Sequence, residues 1–516
     1  MKGTGSQRSS YDELLALVQG LAAQVETLTA RVAVLEKENA ELRVENAALR
    51  AENSALKRKL GTDSTNSSTP PSQDSLAAKG KRQAQRSQRV RSKDRTPGGQ
   101  PGRLGSGLMP ASAPDRTETA AAPADCSGCG SDLADGTDVG MTWTQIWDTP
   151  PIRLGKVQYW LPRRRCSCCK KVTTAVVPFG HAGTVSYGPN VNAAAILLGS
   201  AGNVPVERTA MLMAALLGSP VSSGFVARAH ERFAQRLEAA GFDDAMSTAL
   251  AAEPVLCGDE TPVNIARKDT DEDGTEKPGA PHVVTVRTPE ERLVWYRALP
   301  ARTAVALRNL GVLDDYRGYI VRDDYAGWHQ FDARAAGTQQ CVAHLFRHLQ
   351  GVLDLHPDQQ AWAGATRDVL REAHGAVEVA KSAGVTELDP KLLGSLRARY
   401  DKAVTWGKST NRHRDWDSAG NHPGYKLATR LADKADQVWL FTTVFSVPWT
   451  NNCSEQALKS PKLHQKVSGY WHTLTTLGKF CTVRSYLTSA CNHGHRAIDT
   501  IHNALIGNPW MPPVAA

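Results

Sequence analysis

Three short acidic islands hold the residues best suited to chemistry at phosphorus: Gly258-Asp259-Glu260-Thr261, Arg322-Asp323-Asp324-Tyr325 and Asn451-Asn452-Cys453-Ser454-Glu455. The first two close apolar runs that read as strands, and the third opens a helix in a basic stretch. Two strand-end Asp and one helical Glu, gathered by folding, make a cage of hard oxygen ligands. Such a cage suits one or two Mg²⁺ ions, or Mn²⁺, in an in-line displacement at phosphorus. Asp259 and Asp323 are the expected shared ligands and Glu455 the third. Taken singly, each has a plainer use: Asp259 as a turn residue before Thr261-Pro262, Glu455 as the far member of a capping box begun by Asn452. Their joint order on these elements argues for the metal. At the second island strand alternation points Asp323 and Asp324 to opposite faces, and Asp323 is the one chosen.

Lys459, Lys462 and Lys466 follow Glu455 at helical spacings. They are expected to contact DNA phosphates near the reacting bond, although Pro461 predicts a short or kinked helix. Trp449, Tyr470 and Trp471 fit core packing better than base stacking. Cys341 and His344 lie on a predicted helix after the second island, and two such ligands make no structural metal site; a buried thiol and a hydrogen-bonded imidazole are expected.

Cys126-x-x-Cys129 and Cys166-x-x-Cys169 are two knuckles that together offer four thiolates to one structural Zn²⁺. Cys168 is a spare thiol in the second. The strand-like segments 142–148 and 156–161 are expected to pair and bring the knuckles together.

The elements that position these residues begin with a heptad repeat. Leu14, Leu21, Leu28, Leu35, Leu42, Leu49 and Leu56 recur at every seventh position, with Tyr11, Val18, Val25, Val32, Asn39, Asn46, Asn53 and Leu60 at the companion position. β-Branched residues opposite leucine favour a parallel two-stranded coiled coil, and the three asparagines fix its register. Residues 11–60 are therefore a zipper that makes a homodimer or higher oligomer. Residues 61–115 are rich in Ser, Pro, Gly, Lys and Arg and read as a basic flexible linker, in which Arg82, Arg86, Arg89 and Arg91 are expected DNA contacts. Residues 116–180 form the zinc-binding domain, and 188–252 a helical connector with a helix-turn-helix outline around Gly218-Ser219-Pro220. Strands are predicted over 254–258, 282–287, 292–297 and 318–322, with a helix over 303–313, in a first core segment of 253–337. A helical stretch, 338–444, separates this from the final segment, 445–510.

The chain has 516 residues, a net charge of +9 and a pI near 9.0. Its basic residues are clustered: Lys79 to Arg103 holds nine Lys or Arg and one acid, and Gln456 to Ile498 holds six and none. Two such segments point to a polyanionic partner. Met1–Ser10 lacks an apolar signal region, and no apolar run approaches membrane-span length. Cytoplasmic work is expected, with the ten cysteines as thiols or metal ligands.

The order strand with Asp, two strands, helix, strand with Asp, final Glu helix resembles the ribonuclease-H-like core of DDE transposases. The flanking phrases narrow the resemblance to the bacterial insertion sequence 66 transposases. Gly258-Asp259-Glu260-Thr261-Pro262 is similar to that family's first-Asp motif, and Thr450-Asn451-Asn452 through Glu455-Gln456-Ala457-Leu458-Lys459 to its final-Glu motif. Asn66-Ser67-Ser68-Thr69-Pro70-Pro71-Ser72 and Gly98-Gly99-Gln100-Pro101-Gly102 resemble its linker phrases, and Asp148-Thr149-Pro150-Pro151 with Arg163-Arg164-Arg165 its zinc-finger domain. The family phrase at the second island carries a small residue after the Asp, so Asp324 is a departure.

The resemblance implies a multidomain α/β transposase: coiled coil, zinc module, helical connector and a ribonuclease-H-like catalytic core with a helical insertion. It would bind element ends and target DNA, free a 3′-hydroxyl and join it to the target, working on DNA in the bacterial nucleoid. The rival readings are a non-catalytic zipper and zinc DNA-binding regulator, and a hydrolase of another class working with two carboxylates.

Overall fold

The computed structural model describes residues 5–61, 108–177, 184–266, 280–290, 292–355, 358–414 and 421–513. The fold is mixed α/β with a helical N-terminus. Helix α1, Gly5–Gly61, carries the whole heptad repeat. The heptad leucines Leu14, Leu21, Leu28, Leu35, Leu42 and Leu49 are between 49% and 60% exposed, and Val18, Val25 and Val32 are similarly open, so this seam is not buried within the chain. Arg82, Arg86, Arg89 and Arg91, with nearly all of the expected linker, lie outside the described residues.

The rest divides into two compact units. One contains Arg317–Asn452; the other contains the described residues up to Tyr316 and again from Cys453 onward.

In the latter, strands β1 (Arg163–Arg165) and β2 (Val172–Thr174) form a small antiparallel hairpin. The strands expected over 142–148 and 156–161 do not form. Their apolar side chains, Trp143, Ile146, Trp147, Val157 and Trp160 among them, stand exposed. Alternation makes a strand only where a second layer takes one face, and none does so here among the described residues.

Helices α2 (Pro189–Ser200), α3 (Val206–Leu217), α4 (Ser223–Ala239) and α5 (Phe242–Ala251) follow. Helix α3 stops at Gly218, whose φ of 59° is left-handed. Ser222 caps α4 by accepting from the Phe225 backbone N–H at 3.1 Å. Arg232 of α4 turns back to Asn192 of α2 at 3.1 Å, which makes the helix-turn-helix outline part of a packed helical layer.

Strands β3 (Val255–Pro262), β4 (His282–Arg287) and β5 (Val294–Leu299) make an antiparallel meander. The first strand runs through Asp259 to Pro262 rather than ending at Gly258. Pairing with β4 from Cys257↔Arg287 to Pro262↔His282 carries the polar residues along. The predicted helix over 303–313 shrinks to α6, Ala304–Arg308, because the chain turns at Gly311 with φ of 81°. Helix α14 (Leu474–Asn492) covers the outer edge of the meander. Ser485 and Ser489, one turn apart, accept from the backbone N–H groups of Tyr296 at 2.8 Å and Val294 at 3.0 Å. Edge-strand donors that would otherwise need water or another chain are thereby satisfied.

In the unit containing Arg317–Asn452, β6 (Tyr319–Arg322) pairs in parallel with β7 (Gly337–Gln340). A 3₁₀ helix, Ala326–Phe331, connects them. Strand β7 corrects the expected start of the helical stretch at residue 338, since helix begins only at Val342. Gly-Thr-Gln-Gln has no apolar pattern, and its polar side chains are held inside by hydrogen bonds instead. Gln339 Oε1, for one, accepts from the Phe441 backbone at 2.9 Å. Helices α7 (Val342–Leu355), α8 (Ala361–Ser382), α9 (Pro390–Asn411), α10 (Pro423–Asp433) and α11 (Ala435–Trp439) then enclose a core of Leu349, Trp362, Leu370, Tyr400, Leu431, Trp439 and Phe441. Gly407 in α9 lies where a Cβ would meet the Trp362 indole at 2.4 Å, so only glycine admits that contact.

Candidate active site

Register across the meander fixes the neighbours of Asp259. It stands opposite Thr285, which stands opposite Tyr296, and directly opposed residues of antiparallel strands share a face. Two residues earlier, Cys257, Arg287 and Val294 line up on that same face. Helix α12 (Asn452–Ala457), which carries Glu455 in its first turn, is fastened to this face at both ends. Arg287, 3% exposed, donates from Nη1 to the Cys453 carbonyl at 2.9 Å. Tyr296 donates its hydroxyl to the Ala457 carbonyl at 3.2 Å. The Cys257 thiol hydrogen-bonds that of Cys453 and draws it down to about 7, burial opposing and the Arg287 charge assisting. Ala457 and Leu458 complete the contact by packing with Val283, Val294 and Tyr296.

The helix bearing Glu455 is thus held on the side of the meander that bears Asp259. Thr285 Oγ1, buried between Asp259 and Tyr296, has no hydrogen-bond partner among the described residues. The Asp259 carboxylate on this face, beside a buried hydroxyl, fits a hard cation with its oxygen shell.

Glu260 points the other way, with Val284 and Arg297. Its buried carboxylate is paired with Arg302, Nε to Oε1 at 2.6 Å. Within the Asp-Glu pair, the glutamate therefore holds structure. On that face Asp243 of α5 accepts from Trp295 at 2.9 Å, Arg297 at 2.6 Å and Thr482 at 3.0 Å, joining α5, β5 and α14.

Asp323 and Asp324 follow β6 in the other unit. Asp323 Oδ1 accepts from the Tyr325 backbone N–H at 2.9 Å. Asp324 accepts from Lys434 at 2.6 Å and Arg430 at 3.2 Å. Burial works to raise its carboxyl, but the Lys434 hydrogen bond and the charges of Arg430, Lys434 and His329 outweigh it and hold it below the usual range. Cys341, fully buried just before α7, accepts at its Sγ from the Asn451 backbone N–H at 3.1 Å.

Helix α13 (Lys459–Val467) starts afresh after α12, with Pro461 in its first turn. Lys459 and Lys466 are exposed, while Lys462 bends back and donates to the Pro262 carbonyl at the end of β3. Burial and the charge of Lys466 lower the Lys462 ammonium. Trp471 is buried and stacks on His464 at 5.0 Å, whereas Tyr470 is exposed.

The two cysteine knuckles have one backbone design. Cys126 N–H donates to Ser131 O and Gly130 N–H to Cys126 O, both at 2.8 Å. Cys166 N–H donates to Lys171 O at 2.8 Å and Lys170 N–H to Cys166 O at 3.1 Å. The fifth residue of each, Gly130 or Lys170, is left-handed at φ 74° or 61°. Lysine rarely accepts that conformation, so the turn is imposed by its hydrogen bonds. Within the pairs the thiols interact: Ser131, then Cys126, lowers Cys129, and backbone groups of Cys169 and Cys168, then the Cys169 thiol, lower Cys166. Among the described residues no three of the four ligand thiols lie within 4.8 Å of one another.

Arg287, Thr285 and Tyr296 were not expected from residue pattern as partners of the acidic islands. Their role comes from strand register, and the one available signal was a charged Arg287 at the end of a valine-rich strand.

A family model described as "Transposase IS66 family" matches residues 184–477, more than half of the chain. No curated protein matches it. Among solved structures, the chain is similar to the "Drosophila P element transposase strand transfer complex", with 12% identity, 61% of this chain and 94% of that one covered, and a TM-score of 0.30. At that score the likeness carries no argument.

Proposed function

The chain belongs to the IS66 transposase family and is a DNA transposase, and we propose that it binds its element's ends, cleaves them to free a 3′-hydroxyl, and joins that hydroxyl to target DNA. Asp259, Asp323 and Glu455 would hold the divalent ion, Mg²⁺ or Mn²⁺, within a ribonuclease-H-like core. The observation that carries this reading is the anchoring of the Glu455 helix to the face of the meander that bears Asp259. When bound, the ion would supply positive charge to the phosphate under attack. The chain's own residues do the rest. Arg287 and Tyr296 fix the helix, Glu260 leaves Asp259 as the carboxylate of that island on this face, and Asp324 is already engaged by Lys434 and Arg430. Asp323, whose Oδ1 accepts from the Tyr325 backbone N–H, would be the second island's ligand.

DNA phosphates would be met by Lys459 and Lys466 beside the Glu helix, with Lys462 nearer β3, and by Arg82, Arg86, Arg89 and Arg91 of the basic linker. Cys126, Cys129, Cys166 and Cys169 would hold one structural Zn²⁺. The matching turns of the two knuckles support that reading, since each already sets a pair of thiols side by side. The open leucine seam of α1 supports a coiled-coil dimer, the second copy covering what this chain leaves exposed.

Two coupled active sites would suit the cutting of two ends in concert. The test is incubation of the purified protein with DNA carrying its element's ends and Mg²⁺. End-specific nicks with free 3′-hydroxyls, absent in EDTA, are the expected product; DNA binding with no nick under any divalent ion would leave only a DNA-binding regulator.

A further inference from the structure

Asp324 is the residue at which this chain departs from the family phrase, and its surroundings give it a task. Three donors converge on its carboxylate, Lys434 Nζ at 2.6 Å, Gln340 Nε2 at 3.1 Å and Arg430 Nη1 at 3.2 Å, and His329 Nε2 lies 3.2 Å from Oδ1 and 3.0 Å from Lys434 Nζ. They come from β7, the 3₁₀ helix, and α10 with the residue that follows it. Only 18% of the Asp324 side chain is exposed, and about a quarter of each of its two cationic partners.

A second group grips the preceding residue. Arg322, fully buried, donates to the Asp323 carbonyl at 2.7 Å and to Asp332 at 2.5 Å. Gln437 links the two groups, donating to Asp332 at 3.3 Å and accepting from Gln340 at 3.2 Å. The short segment bearing both aspartates is therefore held through its backbone on one side and through the Asp324 carboxylate on the other. Because the two residues are adjacent, any rotation of the backbone that moves Asp324 also re-aims Asp323.

We propose that Asp324 is a positioning residue: it ties the end of β6 to Lys434 and Arg430, and so fixes the direction of the neighbouring Asp323 carboxylate. This rests on the reading of Asp323 as a ligand of the divalent ion. Asp324→Asn preserves the shape and removes the charge that holds Lys434 and Arg430 together. Those two half-buried cations then repel across the gap, and the segment gains freedom. A carboxylate that is no longer held in place binds metal less well, and loss of such an outer partner costs about tenfold or more in affinity.

The experiment uses the full chain as wild type, Asp324→Asn, Lys434→Gln and the double variant. Binding of Mn²⁺ to the DNA-free protein is read from the electron paramagnetic resonance of the unbound ion, and end cleavage is followed against Mg²⁺ concentration. Each single variant should weaken Mn²⁺ binding and raise the half-saturating Mg²⁺ about tenfold, with the rate at saturating Mg²⁺ within about threefold of wild type. The double variant should be no worse than the worse single, because both break one link. Effects that multiply in the double variant overturn the proposal, as does an Asp324→Asn protein identical to wild type. Loss of Mn²⁺ binding and of cleavage at every Mg²⁺ concentration in Asp324→Asn alone also overturns it, by making Asp324 itself the ligand. An Asp323→Ala protein that still cleaves removes the underlying reading separately, whatever Asp324→Asn does.

Discussion

Arg287 Nη1 lies 2.9 Å from the carbonyl oxygen of Cys453, a hydrogen bond that ties β4 to the first turn of the helix carrying Glu455. Hydrogen bonds from a charged donor contribute about 1.5–3 kcal/mol, and this one also sets the position of a candidate metal ligand. Arg287→Met should lower stability by roughly that amount in urea unfolding. End cleavage should fall further than binding of the same DNA. Equal losses in both would mean that Arg287 supports the unit as a whole and has no particular hold on α12.

Ser485→Ala with Ser489→Ala strips the edge of β5 of its two hydroxyl partners. Each leaves a buried backbone donor unsatisfied, at about 1–3 kcal/mol apiece. The double variant should melt well below wild type and aggregate on heating, since an uncovered edge invites pairing with another chain. Light scattering through a thermal ramp reads both effects.

His230 is buried between Ser200, whose Oγ is 3.1 Å from Nδ1, and Gly199. Burial lowers its imidazole to about 4, and His464 is lowered to about 4 by burial and by the charges of His230 and Arg484. Both are neutral in the fold, so the unfolded chain takes up protons first as the solution is acidified below about 6.5. Their contribution to stability is complete above that value and is lost as pH falls through about 4. Each proton adds a slope of about 1.4 kcal/mol per pH unit across that window. Denaturation midpoints measured from pH 7 to pH 4 should fall less steeply in His230→Gln, by about one proton.

The zinc reading predicts one Zn per chain by elemental analysis of the full-length protein. Cys126→Ser or Cys166→Ser should each lose it, because three thiolates no longer close the tetrahedron. Cys168→Ser should keep it. A chain that retains full zinc after loss of Cys126 would contradict the four-thiol set.

Much of this architecture was legible from pattern. The expected 188–252 connector is helical, α3 ends at Gly218 in the outlined turn, and β4 occupies the predicted 282–287. These elements declare themselves through local periodicity and capping. What stayed hidden depends on partners distant in sequence. Strand β7 is polar and buried, held by contacts such as that between Gln339 and Phe441, so no alternation marked it. The strand pair expected within 142–161 failed for the opposite reason, having alternation but no layer to cover it. At the acidic islands the residue types were readable, but the separation of Glu260 from Asp259 and of Asp324 from Asp323 needed Arg302, Arg430 and Lys434 in place.

If three carboxylates carry out the cutting, a comparison of Asp259→Ala, Asp323→Ala and Glu455→Ala with wild type on one end-containing DNA substrate will show it. Gel shift reads binding and a labelled end reads cleavage, both in Mg²⁺. End binding should stay within about threefold of wild type for all three, since DNA is held mainly by cationic residues elsewhere, and cleavage should fall below detection for each. If all three variants bind and cut at the wild-type rate, the catalytic assignment is wrong.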